Sequence, residues 1–394
     1  MPKNFDKEQP IIQIATPFLG EEEWLALKEP LSSGWLTQGP KVAKFEKEFA
    51  EKHEVKYAFA VTSCTTALHL ALAALQIKLG DAVLVPSFTW VATVNAIEYC
   101  GARPIFCDSD YKTYNIDINS IRSKLKESIV AGYKPKAIIP VHLFGLCADL
   151  KEILAIAHEF DLKVIEDAAC ASGARYKGKY AGSMGDIGCF SFHPRKIITT
   201  GEGGMCTTND DELAKRINCL RNHGASLPEE KRHVSNKPYI MPDFDALGYN
   251  YRMTDLQGAL GSVQLHRLEG LIKERRHWAL YYNENLADIE WLSVPYVPND
   301  YQHTYQAYVC KVDEAKAGCF RNDIMEYLMR HGVNTRPGTH AVHELGYYAE
   351  KYDIKAEEFP RARDLYATTM ALPLHNNMTP DDYERVVTVL KEYR

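Results

Sequence analysis

Seven short apolar runs alternate with helix-like segments between about residues 57 and 208. The helical segments include TALHLALAAL and LKEILAIAHEF. Apolar strands between helices indicate a mostly parallel sheet that is covered on both faces. The pattern predicts an α/β fold, with a large domain built on a seven-stranded sheet. The seven runs are YAFAVT (57–62), AVLVP (82–86), PIFC (104–107), AIIPVH (137–142), KVIED (163–167), IGCFSF (187–192) and GMCTT (204–208).

A long helical pattern follows, from near residue 253 to beyond residue 282. The chain then alternates again at HTYQAYVCKV (303–312) and has helical patterns near residues 321–331 and 380–393. This tail predicts a smaller C-terminal α+β domain. We therefore expect a large domain with an N-terminal segment over residues 1–255, and a bridging helix with a small domain over residues 256–394.

Composition limits the class of function. The 394 residues are 46% hydrophobic and 25% charged, which is typical of a soluble globular protein. A net charge of −6 provides no basic surface for nucleic acid, so we expect no nucleic-acid partner. The N-terminal MPKNFDKEQP lacks the apolar core of a signal peptide, and no segment has the pattern of a membrane span. We expect a cytoplasmic protein with no membrane partner.

Ten cysteines are present, but no two of them form a C-x-x-C pair. Most of them lie inside apolar runs, where a free cysteine behaves as a small hydrophobic residue. A disulfide framework is not expected in such a chain, and the spacing does not fit zinc or an iron–sulfur cluster. We therefore expect no metal site.

Polar residues follow two of the predicted strands, at the edge where parallel sheets bind ligands. In VTSCTTAL (61–68) a strand leads into a helix whose first N–H groups can bind phosphate, although Ser and Thr also cap helices without a ligand. Glu166 and Asp167 end another strand. We expect one of these acids to face the surface and the other to hold a cationic group of a ligand, because an unpartnered buried carboxylate is costly.

An aromatic pair and a lysine complete the set. In PSFTWVATVNAI (86–97), Phe88 and Trp90 either stack on a flat ring or belong to the core. In FSFHPRKIITTGEGGM (190–205), Lys196 lies in a surface turn or at the mouth of the sheet. Pyridoxal 5′-phosphate (PLP) needs all these groups, because its phosphate must be held, its aldehyde forms a Schiff base with lysine and its pyridine nitrogen needs a carboxylate partner.

The sequence resembles the DegT/DnrJ/StrS-type aminotransferases, fold-type I enzymes that use PLP and mostly aminate keto sugars attached to nucleotides. The resemblance covers nearly the whole chain, in blocks that keep their order. It implies PLP as the cofactor, Lys196 as the lysine that carries it and Asp167 as the acid that faces the pyridine nitrogen. The blocks are GWLTQGPKVAKFEKEFA, SFTWVATVNAIEYCGARPIFCD, PVHLFGLCADL, VIEDAACASGARY, FSFHPRKIITTGEGGM and GYNYRMTDLQGALG.

The resemblance also implies further cofactor contacts. Trp90 matches the aromatic residue over the ring, and Cys64 and Thr65 match the phosphate-binding start of a helix. Ser191 matches a serine that contacts the same phosphate. Asn250, in GYNYRM, matches an asparagine that reaches the phosphate from the neighbouring subunit, which implies a homodimer with shared active sites.

Cys170 departs from the family pattern. It lies three residues after the acid, where the family usually has glutamine or histidine near the ring hydroxyl. A thiol is a weaker hydrogen-bond donor, so we do not expect Cys170 to do the same job. Arg336 in NTRPGTH is either a substrate contact or a surface residue. The histidines near the motifs are more readily structural than substrate-binding; they are His193, His223, His340 and His343.

The resemblance implies an aminotransferase with L-glutamate as amino donor and a keto sugar as acceptor. Nucleotide-linked 4-keto- or 3-keto-6-deoxyhexoses come first, for the biosynthesis of surface polysaccharide or glycoconjugates. A cyclitol ketone or a small phosphorylated ketone stays open as the acceptor. A sugar dehydratase of this fold is disfavoured, because such members replace the lysine with histidine. The lysine and the acid also argue against a non-catalytic regulatory protein.

Overall fold

The computed structural model describes residues 10–226, 241 and 243–393, and its largest unit is a seven-stranded sheet. The strand order is β1–β10–β9–β6–β5–β2–β4. Of these seven strands β10 alone is reversed, because it pairs antiparallel with both of its neighbours. Each strand overlaps one predicted apolar run, so the predicted mostly parallel sheet is confirmed. The strands are β1 (Tyr57–Val61), β2 (Asp81–Pro86), β4 (Arg103–Cys107), β5 (Lys134–Ile138), β6 (Lys163–Asp167), β9 (Ile187–Ser191) and β10 (Gly204–Thr208).

Helices cover both faces of the sheet, as expected for strands that are apolar throughout. One face packs against α4 (Cys64–Ala74), α5 (Val91–Tyr99) and α8 (Asp211–Leu220). The other packs against α3 (Pro40–Lys52), α6 (Ile118–Val130) and α7 (Leu150–Glu159). Helix α4 is buried along most of its length and therefore has no polar stripe. Two short helices, α1 (Glu21–Ala26) and α2 (Lys28–Ser33), precede this unit.

The predicted long helix is α9 (Asp255–Leu286). Its first half packs in the core of the large sheet through Leu265 and Leu268, and its second half packs in a separate core through Ala279 and Tyr282. The proposed division at residues 255 and 256 falls at the start of this helix and stays a prediction.

The C-terminal part of the chain has its own four-stranded sheet, in the order β11–β13–β16–β14, which confirms the smaller α+β unit. Its strands are β11 (Leu292–Ser293), β13 (Tyr308–Val312), β14 (Arg336–Pro337) and β16 (Thr369–Leu372). Ile12 lies in the core of this unit and its backbone pairs with Val333. The helices are α10 (Glu314–Ala317), α11 (Arg321–Arg330), α12 (Gly346–Tyr352), α13 (Pro360–Thr368) and α14 (Pro380–Glu392).

Short strands join the smaller unit to the larger one. Strand β12 (Tyr301–Gln302) pairs with β7 (Arg175–Tyr176), which pairs in turn with β8 (Lys179–Tyr180). Strand β15 (His340–Ala341) pairs with β3 (Phe88–Thr89), so residues of the smaller unit lie beside the end of β2. None of the helices in the described ranges is long and apolar enough to cross a membrane.

The predicted alternation at residues 303–312 forms a strand only from Tyr308 onward. The preceding residues form a turn, because Tyr305 has a φ of +49°, in the left-handed region that a strand does not allow. The N–H of Thr304 donates to the carbonyl of Gly145 (3.0 Å), which fixes this turn against the larger unit.

Both acids at the end of β6 are buried, so the prediction that one of them faces the surface is wrong. Glu166 accepts four hydrogen bonds, from the N–H groups of Gly182 (2.7 Å), Met184 (2.7 Å) and Gly185 (2.5 Å) and from Nε2 of His142 (2.9 Å). Nδ1 of His142 accepts from the N–H of Ala148 (3.1 Å), so the ring proton is on Nε2. These donors replace water around the carboxylate.

We expect Glu166→Gln to lower the free energy of unfolding by about 3 kcal/mol. The NH2 group of the glutamine would face N–H donors that the carboxylate now accepts from, in a buried site. Denaturant unfolding measures the change. Glu159→Gln, which breaks the exposed ion pair with Arg122, is the control and should cost less than about 1 kcal/mol. Equal losses in the two variants would contradict the role of the Glu166 hydrogen bonds.

Candidate active site

Lys196 lies in the turn that follows β9, and its amine faces a thiol. Its Nζ is 3.1 Å from Sγ of Cys170, three residues beyond the end of β6. Strands β6 and β9 are neighbours in the sheet, so their ends bring the two side chains together. Burial lowers the pKa of Lys196, but the sulfur of Cys170, with Cys64 and Asp167, more than offsets this effect. The pKa of Lys196 therefore lies above its ordinary value.

Asp167 is buried at the end of β6, beneath the starts of α4 and α5. Its Oδ2 accepts from Oγ1 of Thr93 (2.8 Å), its Oδ1 accepts from the N–H of Ala169 (3.1 Å), and Sγ of Cys64 lies 4.0 Å from Oδ1. Burial raises the pKa of Asp167 above its ordinary value, although these hydrogen bonds and Lys196 oppose the rise. A cation placed against this carboxylate would stabilise its charged form.

The start of α4 is capped as the Ser and Thr pattern allows. Oγ of Ser63 accepts from the N–H of Thr66 (3.1 Å), and Oγ1 of Thr66 accepts from the N–H of Ser63 (3.0 Å). These two hydroxyl groups therefore serve the helix. The N–H groups of Cys64 and Thr65 belong to the first helical turn, where an α-helix provides no internal acceptor. With the hydroxyl group of Thr65, they remain candidates for an anion.

Ser191 lies next to this helix start because Gly204 allows a close approach. Ser191 is opposite Gly204 in the β9–β10 ladder. A Cβ atom at Gly204 would lie 2.5 Å from the carbonyl oxygen of Ser63 and 2.7 Å from the nitrogen of Cys64, so only glycine fits. The structure thus brings Ser191, Cys64 and Thr65 to one place at the edge of the sheet.

Trp90 and Phe88 have different environments. Phe88 is a fully buried core residue, whereas Trp90, at the N-cap of α5, is 61% exposed. The indole of Trp90 packs against the imidazole of His340 from β15, with ring centroids 5.4 Å apart. Arg336 is exposed in β14 of the same unit.

Asn250 is not part of this cluster within one chain. It is exposed, and its backbone pairs with Asn222. The next residue, Tyr251, accepts a hydrogen bond at its carbonyl from the N–H of Thr62 at the end of β1 (3.1 Å). The loop therefore runs beside the start of α4, with the side chain of Asn250 on the outer surface.

The other histidines differ in their surroundings. His343 is buried, with Nδ1 against Oγ of Ser87 and Nε2 3.2 Å from the carbonyl of Ala356, so it is structural. His193 accepts at Nδ1 from the N–H of Arg195 (3.2 Å), within the lysine turn. His223 is exposed.

Sequence reasoning missed two residues that contact this site. Thr93 bonds Asp167, and its position three residues after Trp90 at the start of a helix was a signal that it shares the site. Gln306 bonds the backbone on both sides of Lys196. Nothing in the sequence spacing relates it to a lysine more than 100 residues away.

The fold is that of aminotransferases. The X-ray structure of the aminotransferase from Psychrobacter cryohalolentis matches with a TM-score of 0.88 and 32% identity, over 97% of this chain and 98% of that one. The chain belongs to the DegT/DnrJ/EryC1/StrS aminotransferase family, whose model matches residues 17–391. The protein is therefore a transaminase, and the family resemblance of the sequence is confirmed.

Two relatives are similar over almost their full length. The spore coat polysaccharide biosynthesis protein SpsC of Bacillus subtilis (strain 168) is 40% identical over 98% of this chain and 98% of its own. GDP-perosamine synthase of Caulobacter vibrioides (strain ATCC 19089 / CIP 103742 / CB 15) is 37% identical over 97% of this chain and 98% of its own.

We expect Cys170→Ala to lower the pKa of Lys196, because the ammonium group loses its sulfur partner while its burial remains. The amine would then become reactive at lower pH. The measurement is the pH dependence of Lys196 modification by dinitrofluorobenzene in cofactor-free protein, followed by peptide mass spectrometry. Cys219→Ala, on helix α8, is the control and should leave the midpoint unchanged. An unshifted midpoint in Cys170→Ala would show that the thiol does not stabilise the ammonium form.

Proposed function

We propose that this protein is a PLP-dependent aminotransferase that moves an amino group from L-glutamate to a nucleotide-linked keto sugar. The observation that carries the proposal is the pairing of an amine and a buried carboxylate in a chain of this family. The Nζ of Lys196 lies 3.1 Å from Sγ of Cys170, three residues after Asp167, and the strands β6 and β9 that lead to the two residues are neighbours. Both lie at the carboxyl edge of the sheet, where ligands of α/β folds bind.

The residues present fit PLP. Asp167 is a buried carboxylate that a cationic ring nitrogen would stabilise, and Lys196 supplies the amine for the aldehyde. The N–H groups of Cys64 and Thr65 and the hydroxyl group of Ser191 would hold the phosphate, because a helix start binds anions. Trp90 offers an exposed indole face to the ring. All of these residues lie within residues 1–255, the proposed cofactor domain.

Each side chain has a distinct task in the reaction. When bound, PLP carries the amino group between the two substrates and withdraws electrons from the carbon that loses its proton. The Nζ of Lys196 would take the proton from Cα of the donor as general base and give it back as general acid. Asp167 would stay a carboxylate and stabilise a positive charge on the ring nitrogen. Cys170, within reach of Nζ, stabilises the protonated lysine between these steps.

The names of two relatives support a keto sugar as the acceptor. One is a polysaccharide biosynthesis protein and the other a synthase of GDP-perosamine, a nucleotide-linked sugar. We propose a nucleotide-linked 4-keto- or 3-keto-6-deoxyhexose, used for surface polysaccharide or glycoconjugates. His340 packs against Trp90, and Arg336 is exposed in β14. Both are our candidates for contacts to this acceptor.

The test begins with cofactor attachment. Borohydride treatment of the protein with PLP should fix the cofactor on the peptide that contains Lys196. L-Glutamate should be converted to 2-oxoglutarate. The acceptor panel contains nucleotide-linked keto sugars, cyclitol ketones and phosphorylated ketones. Mass spectrometry should detect amination of a nucleotide-linked keto sugar. Lys196→Ala should lower turnover by a factor of at least about 10³, because the proton transfer loses its base. Label on another lysine, or amination of a cyclitol alone, would contradict the proposal.

We also propose that the protein acts as a homodimer in which Asn250 reaches the phosphate of the other subunit. Large apolar side chains are exposed in the segment before Asn250, at Met241, Phe244 and Leu247. Exposed apolar side chains that cluster in one segment mark a protein–protein contact. A second copy of the chain would cover them and bring the exposed Asn250 toward a helix start.

Two inactive variants should then restore activity when they are mixed. A hybrid of Lys196→Ala and Asn250→Asp subunits has one site with both native residues, since both lesions fall in the other site. Complete exchange at equal concentrations should give about a quarter of wild-type activity, because half of the dimers are hybrids with one native site. Asn250→Asp alone should be impaired, because its carboxylate would repel a phosphate.

The matched control mixes Lys196→Ala with Asp167→Asn. Both residues serve the site of their own chain, so every hybrid site keeps one lesion and no activity should return. Native mass spectrometry verifies that hybrids form. If verified hybrids of Lys196→Ala and Asn250→Asp stay inactive, Asn250 does not act across the dimer.

A further inference from the structure

Gln306 holds the backbone on both sides of Lys196. Its side-chain Oε1 accepts from the N–H of Ile197 (2.9 Å), and its Nε2 donates to the carbonyl of Arg195 (2.5 Å). We name these two hydrogen bonds the Gln306 clamp. One amide uses its donor and its acceptor together, so both the position and the orientation of the peptide groups around Lys196 are specified.

A buried arginine of α9 and a histidine hold the turn that carries Gln306. Arg275 of α9 is buried, and its Nη1 donates to the carbonyls of Tyr305 (3.1 Å), Gln306 (3.4 Å) and Leu374 (3.0 Å). The N–H of Tyr305 donates to Nδ1 of His303 (2.8 Å). These contacts hold Tyr305 in its left-handed conformation, which a free turn would avoid.

Residues 144–145 of the larger unit contact this turn closely. A Cβ atom at Gly145 would lie 2.3 Å from Oγ1 of Thr304 and 3.0 Å from the nitrogen of Gln306, so the glycine permits the contact. The carbonyl of Phe144 accepts from the N–H of Ala307 (3.3 Å). The turn is thus held between α9 and residues 144–145, and the side chain of Gln306 bonds the backbone on both sides of Lys196.

We propose that Gln306 is a positioning residue that orients the amine of Lys196 for attachment of the cofactor and for proton transfer. The inference rests on the proposed function, in which Lys196 carries the cofactor. It makes the smaller unit part of the lysine site, since Gln306 bonds the peptide groups of Arg195 and Ile197 on either side of the lysine. A displacement of about 1 Å at a reacting group is enough to lower a rate about 100-fold.

The chain provides a second glutamine for comparison. Oε1 of Gln264 accepts from the N–H of Thr199 (3.2 Å), further along the same loop. Its Nε2 bonds the carbonyl of Phe18 and Oε1 of Glu23, away from the lysine. The Thr199 amide therefore reports loosening of the loop that is independent of the Gln306 clamp.

The first experiment measures amide hydrogen exchange in cofactor-free protein. Gln306→Leu removes both bonds of the clamp, and the Ile197 amide should exchange about tenfold faster, as the loss of one ordinary hydrogen bond gives. Gln306→Glu keeps an acceptor for Ile197 but not a donor for Arg195, so Ile197 should stay protected. Thr199 should be unchanged in both variants. Gln302→Leu, at an exposed position of β12, is the control with no expected effect.

The second experiment measures the rate at which PLP becomes attached to Lys196, by borohydride trapping and peptide mass spectrometry. The rate should fall about tenfold or more in Gln306→Leu and less in Gln306→Glu. The kcat with L-glutamate should fall in the same order while its KM changes little, because both hydrogen bonds of the Gln306 amide go to the backbone beside Lys196 and the proposal gives it no part in binding the donor.

Three results would overturn the inference. They are an unchanged Ile197 exchange rate in Gln306→Leu, an equal rise at Thr199 that indicates general loosening, and a loosened Ile197 with a wild-type attachment rate. Failure of the proposed function looks different. In that case wild-type protein attaches no PLP at Lys196, while the exchange data still decide whether Gln306 fixes the loop.

Discussion

Two neighbouring carboxylates at the end of β6 have to be buried on opposite faces of one sheet, and the site depends on how each is satisfied. Successive strand residues point to opposite faces. Glu166 takes four protein donors on one face and fixes the strand to residues 182–185. Asp167, on the other face beneath α4 and α5, takes two donors and retains capacity for a cation. The hydrogen bonds of Glu166 fix the end of the strand, and this holds the neighbouring Asp167 in position.

The lysine side of the site depends on both units of the chain. Cys170 approaches the amine from the end of β6, and the Gln306 clamp holds the backbone from the smaller unit. Strand β15 adds His340 beside Trp90. A movement of the smaller unit would therefore change both the backbone around Lys196 and the contact between Trp90 and His340.

Sequence patterns predicted the seven strands and the long helix because each is encoded locally, by apolar runs and helical spacing. They also predicted that residues following different strands lie near one another, because the carboxyl ends of parallel strands share one edge of the sheet. Local patterns failed for Glu166, whose donors come from a turn and a histidine elsewhere in the chain, and for the left-handed Tyr305. Gln306 was beyond reach for the same reason, because the packing of distant elements creates its contact. The sequence pattern cannot express a contact between units.

The reversed strand β10 determines where the chain can place a lysine. Two parallel neighbours require a crossover that leads from the carboxyl end of one strand to the amino end of the next. Two antiparallel neighbours can be joined by a loop that starts and ends at the same end of the strands. The loop between Ser191 and Gly204 is of the second kind, closed at its base by that residue pair. A single inverted strand thus keeps Lys196 at the ligand edge with a short, local connection. Had β10 been parallel, the chain after Lys196 would have needed a crossover to the opposite end of the strands before β10 could begin.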